Sequence, residues 1–294
     1  MKSPRRLPLL LFAAALLLTS LACDMGRIIP NVLSFGKAQP EESRRQLFNG
    51  IVYSVSVRNE ERPMVIHILD IDLNAAGLSL LVTPGNPDSQ TVSARTTSQF
   101  LSDNNLQLAI NGDGFSPWFD LGPLGYMPRT GQGVTPHGFA MSRGTAYTEE
   151  EDRLPTLYMY NNNYASMDSV VAQRYNALSG GLKLVSGGQA VEGLDDSHPD
   201  PRTAIGIDQI GQRMVIIIVD GRQSGYSEGA TMAELAQLFL ERNIHNAMNL
   251  DGGGSSTLVI QGPDGPQVLN SPIHQGFPGR ERPVANHLGF YANP

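Results

Sequence analysis

Two aspartates carry the clearest chemical signal in this chain. Asp220 heads Asp220-Gly221-Arg222, and Asp251 heads Asp251-Gly252-Gly253-Gly254-Ser255-Ser256-Thr257. Two carboxylates facing one cleft can serve as nucleophile, activate water or stabilise a cationic sugar centre. Three consecutive glycines lift the Cβ barrier to unusual backbone angles and let a ligand approach the N–H groups closely. An Asp-Gly pair alone also makes an ordinary turn, so that signal leaves both readings open. The run Gly252-Gly253-Gly254 points beyond a turn, because it costs conformational entropy that a two-residue reversal does not need.

The elements around these aspartates predict how they meet. Arg213 to Val219 is a nearly continuous apolar run rich in β-branched residues, as expected of a strand buried on both faces. Thr231-Met232-Ala233-Glu234 has the form of a capping box, with Met232, Leu235, Leu238 and Phe239 at helical spacing. The chain then returns as Ala247-Met248-Asn249-Leu250. Strand, capped helix and strand predict a C-terminal parallel βαβ unit with neighbouring strands. Both carboxylates would then project from the carboxyl-end edge of the sheet, where ligands bind in open α/β sheets.

Upstream, residues 50–57, 64–69 and 78–82 read as strands of a meander, and 106–110 as a further strand. Thr96-Thr97-Ser98-Gln99 marks a capped helix start. The fold class expected is α+β, a mixed β-sheet domain with few helices, spanning residues 49–294. Residues 112–156 hold many Gly, Pro and aromatics without a period and read as a binding loop bordering the same cleft.

Several of these stretches together resemble the phosphodiester glycosidase family. The resemblance rests on Asn249-Leu250-Asp251-Gly252-Gly253-Gly254-Ser255-Ser256-Thr257, Val219-Asp220-Gly221-Arg222, Pro201-Arg202-Thr203-Ala204-Ile205-Gly206, Ala109-Ile110-Asn111-Gly112 and Arg282-Pro283-Val284-Ala285-Asn286. It runs from about Gly50 to Ala292. Two motifs depart from the family pattern: Asn111-Gly112-Asp113-Gly114-Phe115 replaces Asn-Gly-Gly-aromatic-Phe, and His198-Pro199-Asp200 is spaced away from Pro201-Arg202-Thr203.

The resemblance implies hydrolysis of a sugar from the phosphate of a phosphodiester. A phosphodiester leaving group is a weak base, so its departure needs charge stabilisation more than a strong general acid. Arg202 and Arg222 suit that need, since a guanidinium fork matches two phosphate oxygens. Asp220, Asp251 and Arg202 are the catalytic candidates, with the division of roles between the aspartates left open. Asn111, Gly112, Asp113, Thr203, Arg222, Gly252, Gly253, Gly254 and Ser255 are the substrate-binding candidates. Asn111 ends a strand, where it either bonds a sugar hydroxyl, orients a carboxylate or caps the turn. His198 reads as an exposed loop residue.

The N-terminus predicts export. Lys2, Arg5 and Arg6 precede an apolar run and a small-residue stretch, giving a signal peptide over residues 1–22. The only cysteine, Cys23, follows Thr19-Ser20-Leu21-Ala22, which looks like a bacterial lipobox. Residues 23–48 are expected to form a lipidated N-terminus and tether, making the membrane a partner through the lipid and placing the protein on the bacterial cell envelope. Without the signal, 18 Lys and Arg face 28 Asp and Glu, a formal charge of −10 that disfavours nucleic acid as a partner.

Other chemistries lack their motifs. The six histidines show no metal-ligand spacing, and no metal or cofactor is expected. Gly225-Tyr226-Ser227-Glu228-Gly229 matches GxSxG, but Ser227 falls well past the strand, in a loop. Asp70-Ile71-Asp72 begins like a calcium loop, but Ala75 stands where Gly is needed, so it reads as a strand end. The function expected is an exported glycosidase acting on a sugar-phosphate diester of a glycan. A non-catalytic sugar-binding module on the same fold and a hydrolase of ordinary glycosides are the alternatives.

Overall fold

The computed structural model describes residues 37–118, 126–150, 153–167 and 173–294. The signal segment, Cys23 and parts of the 112–156 stretch lie outside the described residues. Two large antiparallel sheets pack face to face with a helix on each outer side. The eight-stranded sheet has the spatial order Ser43–Phe48, Ile51–Arg58, Met64–Asp72, Arg213–Val219, Arg202–Ile207, Asn246–Asn249, Leu182–Ser186, Gln189–Ala190. The five-stranded sheet runs Gly265–Val268, Leu258–Gly262, Leu108–Asn111, His287–Tyr291, Ser79–Val82.

Side-chain alternation assigns the faces. Tyr53, Ile71, Ile205, Ile216 and Met248 point into a central core shared with Leu80, Ile110, Leu258 and Phe290 of the five-stranded sheet. Residues of opposite parity along these strands, Ile66, Ala204, Val215, Ile217 and Ala247, turn to the other face and pack against Leu235, Leu238 and Phe239. Those three belong to α2 (Met232–Leu240), which carries the predicted capping box through Thr231 and Glu234. The earlier helix, α1 (Thr97–Asp103), is likewise boxed by Thr96 and Gln99, and it buries Phe100 and Leu101 on the outer face of the five-stranded sheet.

The predicted parallel βαβ unit is not formed. Arg213–Val219 and Asn246–Asn249 run in the same direction, but Arg202–Ile207 lies between them, antiparallel to both. The reason is local: Arg202–Ile207 is itself buried and apolar, and it reaches Arg213–Val219 through a short turn in which Gly211 takes φ +68° and Asp208 accepts from the amides of Gln212 and Arg213. A hairpin closes at lower entropic cost than a crossover pairing. α2 then passes over the inserted strand, where a side chain at Gly206 would meet Ile244 at 2.6 Å. Both aspartates still follow strands that end on the same edge.

Three further expectations are corrected. The tether is already ordered from Ser43, because Ser43–Phe48 pairs with Ile51–Arg58 across Asn49-Gly50, with Gly50 at φ +76°. Ser79–Val82 leaves the predicted meander and pairs with His287–Tyr291 in the other sheet. The stretch 112–156 is not wholly irregular: it holds Phe115–Ser116, Gly133–Pro136, Ala140–Ser142 and Thr145–Ala146. Asp70 and Asp72 do end a strand, as expected.

Candidate active site

A cleft of about 380 Å³ opens at the sheet edge, lined by Gly114, Phe115, Trp118, His137, Asp200, Arg202, Arg222, Asp251, Gly252, Gly253, Gly254 and Arg282. The stretch 112–156 therefore borders it, as expected. Asp251 is placed there by backbone clamps. Its N–H donates to the Gly112 carbonyl at 3.0 Å, and its own carbonyl accepts from Asn111 Nδ2 at 2.7 Å. Asn111 Oδ1 accepts from Thr203 Oγ1 at 2.9 Å and from the Thr257 amide at 3.1 Å. A single buried amide side chain thus fixes both ends of the glycine loop, and Thr203 fixes Asn111. These two residues position the loop and do not line the cleft.

The glycines have separate reasons. Gly253 sits at φ +59° at the start of the 3₁₀ turn Gly253–Ser255, a backbone region that other residues enter at a cost. A Cβ at Gly254 would lie 2.6 Å from an Arg282 guanidinium nitrogen, so glycine leaves room for Arg282 where it packs against the loop. The amides of Gly253 and Ser255 are spent inside the protein, on Pro201 and Gly252 carbonyls. Ser255 is fully buried and accepts from Arg282 at 3.1 Å, so its expected role as a ligand donor becomes that of a link between Arg282 and Asp251.

Asp251 is held above the ordinary aspartate range. Burial is the dominant cause, partly offset by the Ser255 hydroxyl, the Arg282 charge and the Gly252 amide. Arg282 is itself oriented by His274, whose Nδ1 accepts from Arg282 Nε at 3.3 Å. Burial and the Arg282 and Arg280 charges push His274 down to about 4, which keeps it neutral and an acceptor at pH 7. Arg222 forms a bidentate pair with Asp200 at 2.7 and 2.9 Å. Arg202 gives Nε to the Ala230 carbonyl and an Nη to the His198 carbonyl, with the charges of Asp200 and Asp195 nearby. His198 itself is exposed, as expected.

Asp220 is elsewhere. It is 1% exposed and absent from the cleft lining. Its carboxylate accepts from Tyr226 at 2.9 Å, Asn270 Nδ2 at 3.0 Å and the Ser271 amide at 2.8 Å, with His67 Nε2 at 3.1 Å. Burial alone would raise its pKa, but the paired His67, the Ser271 amide and Tyr226 together lower it. The expectation of two carboxylates in one cleft is thereby corrected. Among the described residues, Asp220 meets the glycine loop through Asn270, which also donates to the Ser256 carbonyl at 2.9 Å and accepts from the Leu258 amide. Ser227 lies in a loop as expected, donating to the Asp220 carbonyl.

Asp113 is buried too. It accepts from the amides of Gly114 and Gly138, both at 2.7 Å, and so holds the two chain segments that carry Phe115 and His137 to the cleft. A side chain at Gly112 would collide with Asn286 Oδ1 at 2.4 Å. Sequence reasoning missed Arg282, His137, Trp118 and Asp200. Arg282 stood in a recognised motif without being carried to the site, and Trp118 stood among the aromatics of the long loop. His137 stood in the same loop without being singled out. Among the described residues, no group of three or more His, Cys, Asp or Glu converges as a metal site.

The cleft is floored by a glycine loop and holds Asp251, shifted toward the neutral form, the Asp200–Arg222 pair, Arg202 and Arg282, a set of groups able to bind an anion. A family model described as phosphodiester glycosidase matches residues 104–291. The chain belongs to the phosphodiester glycosidase family. It is 44% identical over 61 residues to bovine N-acetylglucosamine-1-phosphodiester alpha-N-acetylglucosaminidase, a match covering 21% of this chain and 11% of that enzyme. It is 35% identical over 113 residues to the prophage-derived YomE of Bacillus subtilis, covering 36% of this chain and 17% of YomE. The matched segments thus span under one fifth of these relatives.

Among solved structures, the zebrafish catalytic domain of the same enzyme, auto-inhibited by its pro-peptide, superposes with a TM-score of 0.58. Its sequence identity is 20%, with 88% of this chain and 87% of that chain covered. A Synechocystis protein aligns with a TM-score of 0.56 at 15% identity, covering 86% of this chain and 64% of that one. Both likenesses concern the fold.

Proposed function

We propose that this protein is an exported, lipid-anchored glycosidase that hydrolyses a sugar-phosphate diester of a cell-envelope or extracellular glycan. The observation that carries the reading is Asp251, a cleft carboxylate with a raised pKa, set among Arg202, Arg222 and Arg282. The arginines hold the phosphodiester and take up charge as the bond breaks. Asp251 accepts a proton from water as that water attacks the anomeric carbon. The C–O bond to phosphate breaks with its electron pair on the phosphate oxygen, and a weakly basic phosphate leaves without needing a proton. A raised pKa suits this work, because a base is most effective when its pKa approaches the working pH. Trp118, 37% exposed with the Arg282 guanidinium 5.0 Å from its ring centre, offers a flat apolar face to the sugar. Export and anchoring rest on residues 1–23.

Trp118 is the only tryptophan in the chain, so its fluorescence reports occupancy of the cleft. A panel of sugar-1-phosphate diesters assayed beside aryl glycosides tests the reading. At least one diester should be hydrolysed and the aryl glycosides left intact. A quench of Trp118 fluorescence by diesters with no turnover of any would identify a sugar-binding module instead.

A further inference from the structure

A second polar groove, of about 500 Å³, shares no lining residue with the cleft. It belongs to another antiparallel sheet, ordered Thr145–Ala146, Ala140–Ser142, Asn176–Ser179, Thr156–Met159, Ala165–Ser166. His137 enters this sheet from the cleft side, and the chain reaches the groove at Arg143. They are six positions apart, at most about 20 Å of extended chain. The strand Ala140–Ser142 thus lies in the chain between His137 of the cleft and Arg143 of the groove.

Tyrosine rings and side-chain amides dominate the groove. Tyr175 is 37% exposed, yet its backbone is fixed on both sides: its N–H donates to the Met159 carbonyl at 3.0 Å, and its carbonyl accepts from the Gly144 amide at 2.7 Å. Tyr160 and Tyr164 flank a tight turn with ring centres 5.5 Å apart at 40°. The Tyr160 amide donates to the Tyr164 carbonyl, and Asn163 takes the left-handed position at φ +62° and anchors the turn to the Leu78 carbonyl. That turn presents Asn161 and Asn162 to solvent. The groove is thus already built, and a ligand would pay little ordering entropy to use it.

Rings with a polar tip and amides with both donor and acceptor suit a molecule having apolar faces and vicinal hydroxyls. Three tyrosines and three side-chain amides outnumber the two arginines that line the groove. Arg174 pairs with Glu150 at 2.6 Å, and Arg143 donates to the Tyr291 hydroxyl. Apart from these two arginines the lining is uncharged, and Glu150 neutralises one of them, so a neutral carbohydrate fits better than an anion. We infer that this groove is an accessory site binding a neutral oligosaccharide chain, with a sugar face on Tyr175 and hydroxyls on Asn161 and Asn162. It would hold a glycan at a distance from the cleft, and its binding does not depend on the hydrolytic reading.

Calorimetric titration of the full chain with tetrasaccharides of α-1,4-glucose, β-1,4-glucose and β-1,4-N-acetylglucosamine tests this. At least one should bind without quenching Trp118 and without competition from inorganic phosphate. Tyr175→Ala should weaken it about 10-fold, the order expected for one lost aromatic contact. Asn161→Ala should weaken it too, and turnover of a small sugar phosphodiester should be unchanged in both variants. No binding by any tetrasaccharide, binding unaffected by either substitution, or binding displaced by phosphate would overturn the inference. Turnover is read separately, so loss of the accessory site and failure of the hydrolytic reading give different results.

Discussion

Asp220 and Asp251 each follow a buried strand, each precede glycine, and leave the large sheet at the same edge, yet they occupy opposite environments. Asp251 faces a cleft among guanidinium groups, and burial raises its pKa. Asp220 is enclosed by His67, Tyr226, Asn270 and Ser271, and their bonds lower its pKa. The strand-to-turn placement decides where a carboxylate begins, and its partners from distant chain segments decide what it can do. A fully satisfied carboxylate has no lone pair left for substrate, whereas an under-satisfied one keeps reactivity. Asp220 is therefore a positioning residue, acting on the glycine loop through Asn270.

The largest expected effect separates the two on stability. Asp220→Ala leaves His67, Tyr226 and Asn270 without their buried acceptor and should cost about 3–5 kcal/mol. In a domain of this size that is a fall in melting temperature of ~10 °C. A fall of only a degree or two by calorimetry would break the contrast. Asp251 is strained by burial rather than supported by it, so its substitution by Asn should leave the melting temperature level or raise it.

The pH dependence sharpens the same contrast with opposite signs. The folded pKa of Asp220 lies below its unfolded value, so its stabilisation is present above the unfolded pKa of about 3.9 and is lost as pH falls through the folded value. The folded pKa of Asp251 lies above its unfolded value, so its contribution is full below about 3.9 and is lost as pH rises through the folded value. Urea unfolding measured across that range should show the acid-side slope flattened in Asp220→Asn and the higher-pH loss removed in Asp251→Asn. A variant that shifts the other's window would contradict the assignment.

The smallest effect lies on the helix joining the two strands. Thr231→Ala removes the side chain that accepts from the Glu234 amide and should cost about 1 kcal/mol of stability without changing turnover. A loss of activity there would mean that α2 couples the two aspartates beyond holding up the sheet.

What the sequence made legible follows the range of each interaction. Both capping boxes operate across three residues and appear as expected at Thr96 and Thr231. The glycine loop was legible because Gly253 needs a left-handed backbone and Gly254 must admit Arg282. The insertion of Arg202–Ile207 between the two aspartate strands was not legible, since a run buried on both faces carries no mark of its neighbour. The contrast between the aspartates was hidden for a similar reason. His67 lies 153 residues from Asp220 and Asn270 lies 50 away. Asn111, Thr203 and Asp113 were placed at the site by motif, and their full set of internal bonds makes them its scaffold.

Asp251 is proposed as the working carboxylate of the cleft, and the pH dependence of turnover in wild type and Asp251→Asn tests that role most directly. Wild-type turnover of a sugar phosphodiester should fall on the acid side at a pH above the ordinary aspartate value of about 3.9, because the base must be ionised and its pKa is raised. Asp251→Asn should lower turnover by at least ~100-fold and abolish that limb, while Trp118 fluorescence still reports substrate binding. A folded Asp251→Asn protein with near-normal turnover and the same acid limb would contradict the account.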